Sequence, residues 1–165
     1  MAKLINEKVR QSLREAEGLY HSLVLLVGES GSGKTRVLQD VAAELDSSVV
    51  NINLALSRDL LDLTTRQRAL RLPGILDRIT NQAQLPVVLD NLEILFDKHL
   101  QQDPLRLLQS ISRNRIVVAS WNGFIESKRL LYAEAGHSEY RSYDQVDALI
   151  VSMDGETTID SASKI

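Results

Sequence analysis

Residues 23–35 read LVLLVGESGSGKT. Leu23 to Val27 form a short apolar run that ends at a glycine, and Gly28, Gly33, Lys34 and Thr35 then fit G-x-x-x-x-G-K-[ST]. Such a run predicts a strand buried on both faces, as in a parallel sheet. The glycines let several backbone N–H groups converge on one phosphate chain. A helix beginning near Lys34 turns its positive end to the same anion. The Lys34 ammonium then reaches the β- and γ-phosphates, and the Thr35 hydroxyl ligates Mg²⁺. A bare match has false positives, but a strand before it and a helix after it is the supporting context. The cradle expected for the nucleotide is Gly28, Glu29, Ser30, Gly31, Ser32, Gly33, Lys34, Thr35 and Arg36, with Glu29 and Ser30 on its solvent side. The cofactors expected are ATP and Mg²⁺.

The flanking sequence extends this pattern. Val37, Leu38, Val41, Ala42 and Leu45 mark an amphipathic helix after the loop, and Leu4, Ile5, Val9, Leu13 and Ala16 mark another before Gly18. VVNIN (49–53), VVLD (87–90) and IVVA (116–119) read as further strands, and RLLYA (129–133) as a fifth. Ala148 to Val151 could be a further strand or a helix. Residues 56–82 are helical in pattern, with a break or kink expected at Pro73-Gly74. Asp103-Pro104 is a helix start, with Asp as N-cap and Pro in the first turn. Strands alternating with helices predict an α/β P-loop NTPase fold. The expected form is a three-layer sandwich around a central, mostly parallel five-stranded sheet. The residues after the fifth strand are too few for a helical lid. The expected organisation is an N-terminal helix (1–18), the core (19–153) and a polar tail (154–165).

Composition bounds the function. The chain has 165 residues, 44% of them hydrophobic, a formal net charge of −3 and no cysteine. That suits one domain with one core. Disulfide scaffolds, Cys-based zinc sites and thiol nucleophiles are excluded. No apolar run approaches the roughly 20 residues of a membrane span, and the first residues lack a secretory apolar stretch. A cytoplasmic protein is expected, and the charge leaves nucleic-acid binding open.

The stretch LPVVLDNLEILF (85–96) supplies the acidic half of the site. Asp90 ends a buried strand, where a carboxylate can hold Mg²⁺ through water, the Walker B role; a turn residue or helix cap is the other reading. Many ATPases of this kind place Glu directly after that Asp, and this chain has Asn91. Glu93, three residues on, could reach the same water, or could be a first-turn carboxylate favoured by the helix dipole. In IVVASWNG (116–123), Asn122 is the first choice for a residue that senses the γ-phosphate and Ser120 the second; a Trp-Asn-Gly turn is the alternative. Trp121 reads as packing. Arg113, Arg115, Arg129 and Arg141 are candidate arginine fingers, with Arg129 and Arg141 ranked first, although each alone is also an ordinary surface arginine. Arg58, Arg66, Arg68, Arg71 and Arg78 could touch DNA or a neighbouring subunit, or form a solvated face. His21, His99 and His137 have no metal-ligand spacing.

GESGSGKT, LPVVLDNLEILF, SRNRIVVASWNG and LLYAEAGHSEYRSY together resemble the BrxF family, the small P-loop AAA+-like ATPases of BREX-type (type 3) bacteriophage-exclusion systems. The resemblance covers roughly residues 20–143, and the VVASWNG and YAEAGHSEY stretches carry it most specifically. It implies a bacterial cytoplasmic component of antiviral defence, encoded with a large ATPase, a DNA methyltransferase and a phosphatase-like protein. The partners it implies are other proteins of that system; a bare core that covers only part of its nucleotide points to further copies of the chain, the arginine-bearing segment leaves duplex DNA open, and no membrane is expected. From the motifs themselves, Lys34, Glu93, Asn122, Arg129 and Arg141 are the expected catalytic set, and Thr35 and Asp90 the expected metal ligands. An ATP-dependent adaptor with little hydrolysis is the second hypothesis. A small-molecule kinase ranks third, because no Arg-rich lid can be placed after the third strand.

Overall fold

The computed structural model of the chain describes residues 2–133 and 139–155. Five strands run parallel in the order β2-β3-β4-β1-β7: β1 (Leu23–Gly28), β2 (Val49–Asn51), β3 (Val87–Asp90), β4 (Val117–Glu126) and β7 (Leu149–Ser152). The strands flanked on both sides are apolar because both their faces are covered. Helices α1 (Ala2–Ala16) and α2 (Lys34–Glu44) cover one face, burying Ile5, Val9, Leu13, Val37, Leu38 and Val41 against Val24, Leu26, Val88 and Val118. Helices α3 (Ile52–Leu60), α4 (Thr65–Asn81) and α5 (Pro104–Ile111) cover the other. The result is a three-layer α/β sandwich of the P-loop NTPase type, and the described residues hold no helical lid domain.

Three expectations need correction. RLLYA is a strand as expected, but it lies outside the parallel order, whose fifth member is β7. Arg129–Tyr132 forms β5, which pairs antiparallel with β4, and β6 (Arg141–Tyr143) pairs antiparallel with β5. The reason lies in β4, which does not stop at the sheet edge. It runs on to Glu126, and the chain reverses at Ser127 and Lys128, both left-handed with φ of 52° and 64°, as a two-residue hairpin turn requires. Asn122-Gly123 is therefore strand and not turn. Gly123 is there because a Cβ would lie 1.8 Å from the Leu131 carbonyl oxygen of the facing strand.

The helical break also falls elsewhere. It comes at 61–64, where Thr64 caps α4 through a reciprocal pair of bonds with Gln67. Helix α4 then continues through Pro73. Proline lacks the N–H that would reach Ala69, four residues back. Gln102, in the segment leading into α5, donates to the Ala69 carbonyl at 2.8 Å in its place. Finally, the second strand ends at Asn51, whose side chain caps α3 by accepting from Leu54 N–H, so Ile52 and Asn53 begin a helix.

Candidate active site

The loop between β1 and α2 owes its bend to backbone freedom. Gly31 and Gly33 have φ of 81° and 100°, which L side chains rarely adopt. Glu29, Ser30, Gly31, Ser32 and Gly33 are exposed, as are Thr35 and Arg36. Lys34 is only 5% exposed, and its ammonium folds back to donate to the carbonyls of Gly28 (2.7 Å) and Glu29 (2.8 Å). Burial holds its pKa below the usual lysine value, opposed by the charges of Asp90, Glu93 and Glu29. The ammonium is thus held by its own loop, and it would have to exchange these carbonyls for phosphate oxygens to bind a nucleotide, with a metal ion offsetting the nearby carboxylates.

Strand pairing assembles the acidic half. Val88 and Val118 belong to the α2 face, while Leu89, Ala119 and Trp121 belong to the opposite one. Alternation then puts Asp90, Ser120 and Asn122 on the side of the loop and α2. Asp90 is 5% exposed. Its Oδ2 accepts from the Thr35 hydroxyl at 2.7 Å, and its Oδ1 accepts from the Ser120 hydroxyl at 2.7 Å. Glu93 opens a short 3₁₀ turn (Glu93–Phe96) after β3. Its carboxylate is held from two sides, by Asn122 Nδ2 at 2.8 Å and Asn53 Nδ2 at 3.2 Å. Asn53 is further tied to this segment, because its N–H donates to Asn91 O (2.8 Å) and its Oδ1 accepts from Ile94 N–H (2.8 Å). Sequence reasoning missed Asn53. The signal was the polar end of VVNIN, but only the β2–β3 pairing carries it to Glu93.

Mg²⁺ fits this donor set. Thr35 and Asp90 present a hydroxyl and a carboxylate oxygen side by side at the loop, and Mg²⁺ binds through one or two protein oxygens with phosphates and water completing the shell. Among the described residues no cluster of three or more His, Asp or Glu could hold a metal by itself.

The arginines divide. Arg115 is bound to Thr80 (2.8 Å), Asp77 (3.4 Å) and Asn81, which makes it a tie between α4 and the segment that leads into β4. Arg113 lies over the Tyr20 ring at 4.6 Å. Arg68 caps the carbonyls of Leu60, Leu61 and Leu63, and Arg78 pairs with Asp59, leaving Arg58, Arg66 and Arg71 on the exposed surface. Arg129 is exposed opposite Glu126, roughly 10 Å up the hairpin from Gly123 at about 3.3 Å per residue. Arg141 sits opposite Tyr132 and donates to Tyr140 O at 3.2 Å. Among the described residues neither guanidinium bonds to the cradle.

Trp121 packs: its indole N–H donates to Leu131 O at 3.1 Å, and its ring meets Phe96, Tyr132 and Tyr143 edge-on. His21 pairs with Asp147 and His99 with Asp97, whereas His137 and residues 156–165 of the tail lie outside the described residues. No described helix is long and apolar enough to cross a membrane.

This fold and loop define a P-loop nucleotide-binding protein. Residues 24–119 match the family described as ATPase family associated with various cellular activities (AAA), and the chain belongs to that family. No curated protein sequence matches it. Among solved structures, one titled "Structure of C. elegans PCH-2" is similar at a TM-score of 0.45 and 17% identity, over 92% of this chain and 41% of that one. The chain thus spans well under half the length of that protein.

Proposed function

We propose that the chain binds ATP with Mg²⁺ at Gly28–Thr35 and Asp90 and hydrolyses it slowly. Glu93 takes the proton of the attacking water and Asn122 positions that water. The oxygen of water bonds to the γ-phosphorus, the bond from that phosphorus to the β–γ bridging oxygen breaks, and ADP and phosphate leave. One observation carries this reading: Glu93 is not a solvated first-turn carboxylate but is clasped by Asn122 and Asn53 and is close enough to act on the Lys34 charge. Each Glu93 oxygen accepts one amide and keeps a lone pair for the attacking water, so the two amides orient the carboxylate without blocking it; slow turnover is expected because Asn91 stands where many ATPases place Glu.

Arg129 or Arg141 of a neighbouring copy supplies charge to the γ-phosphate in this proposal, within a homo-oligomer, as AAA proteins commonly form. The antiphage role, the partner proteins of the same defence system and contact with duplex DNA rest on the BrxF-like sequence stretches. The test is Glu93→Gln. Loss of turnover with nucleotide binding retained supports hydrolysis through Glu93. A wild type that binds ATP without turnover, and a variant no different from it, would favour the adaptor.

A further inference from the structure

We propose that Ser120 is a positioning residue for the magnesium-binding carboxylate, fixing the rotation of Asp90 so that Oδ2 faces Thr35. The proposal rests on the Mg²⁺-ATP reading of the site. Ser120 stands on β4 level with Asp90, one residue past the Leu89–Ala119 pair of the parallel register. Its side chain is 5% exposed, and its Oγ donates to Asp90 Oδ1 at 2.7 Å.

A carboxylate's terminal torsion is broad and close to two-fold. A carboxylate at a strand end with a single partner could therefore present either oxygen, or turn toward the Lys34 ammonium that attracts it. Thr35 can donate to Oδ2 while its lone pairs face the metal, but that one bond holds only one carboxylate oxygen and leaves the other without a fixed partner. Ser120 Oγ has no other described partner and is largely shielded from solvent. Its hydroxyl can serve the carboxylate continuously, whether or not nucleotide is present. This is a different task from sensing the γ-phosphate, which Asn122 is placed to do through Glu93.

A hydrogen bond to a charged group changes an equilibrium by about tenfold or more. Full-length wild type, Ser120→Ala, Ser120→Thr and Asp90→Asn are compared by titration with a fluorescent ATP analogue, first in EDTA and then over a range of Mg²⁺. Mn²⁺ uptake in the presence of the analogue is read by electron paramagnetic resonance, and Trp121 fluorescence reports folding. Ser120→Ala is expected to bind the metal-free nucleotide as wild type does but to need about tenfold more Mg²⁺ or Mn²⁺. Ser120→Thr, which keeps the hydroxyl, restores the wild-type requirement.

If Asp90→Asn raises the metal requirement and Ser120→Ala does not, the proposal is overturned while the magnesium reading stands. Equal weakening of metal-free and metal-bound nucleotide by Ser120→Ala also overturns it, since that is a packing role. Should Ser120→Ala fail to fold, a Ser120→Thr variant with a raised metal requirement despite intact Trp121 emission is counter-evidence, and one with the wild-type requirement is support. If Asp90→Asn itself leaves the metal dependence unchanged, the magnesium reading is wrong and the proposal falls with it.

Discussion

At the residue scale, the position after Asp90 shows how backbone shape selects chemistry. Asn91 has φ of 56°, a left-handed conformation that asparagine tolerates better than most residues. Its carbonyl accepts from Asn53 N–H, and the chain then brings Glu93 back over the site. Glu93→Gln is expected to lower turnover by at least about 100-fold, the lower range for a general base, with nucleotide affinity unchanged in a parallel titration. Asn53→Ala leaves Ile94 N–H without its acceptor and should cost about 1–2 kcal/mol in urea melts. It should also lower turnover, because Glu93 loses one of the two donors that orient it. Lys34, Thr35 and Asp90 were legible in the sequence, since each follows from a local motif or a strand end. Asn53 was not, because its role comes from pairing between segments some forty residues apart.

At the scale of elements, the strand-loop-helix unit and the N-cap at Asp103 follow from short-range rules. Asp103 does accept from Arg106 N–H, as its Asp-Pro sequence suggested. The hairpin was hidden for a physical reason. Asn-Gly is a strong turn signal, and here the glycine serves close strand approach while Ser127 and Lys128 make the turn. Gly123→Ala has a backbone atom in its way, and so it should destabilise by about 3 kcal/mol or detach β5 from β4. Trp121 emission would report this, because its indole bonds Leu131 across the same pair. Pro73 misled similarly: the helix breaker is tolerated because Gln102 serves the carbonyl it strands. Gln102→Ala should therefore cost about 1–2 kcal/mol, measured by urea denaturation.

At the scale of the whole molecule, an aromatic cluster joins the active-site turn to the hairpin. Phe96 stacks on Tyr132 at 3.5 Å, and Tyr143 donates to Asp103 at 3.0 Å. Burial, with Glu93 and Glu139 nearby, pushes the Tyr132 phenol up to about 12, and burial with Asp103 raises Tyr143 as well. The unfolded chain loses these protons near pH 10, whereas the folded chain keeps that of Tyr132 to about pH 12. Their contribution is therefore complete below about pH 10 and lost as pH rises through that window. Melting temperature should fall between about pH 10 and 12, and less steeply in Tyr132→Phe.

The described residues form no lid over the nucleotide site, and in the proposed function a neighbouring copy supplies the cover. ATP turnover per subunit, followed across a wide range of protein concentration for wild type and Glu93→Gln, tests this most directly. The expected result is Mg²⁺-dependent wild-type turnover whose rate per subunit rises with concentration, and a variant that binds ATP but does not turn it over. Equal turnover by both proteins, or ATP bound at every concentration and never hydrolysed, would contradict the proposed role of Glu93.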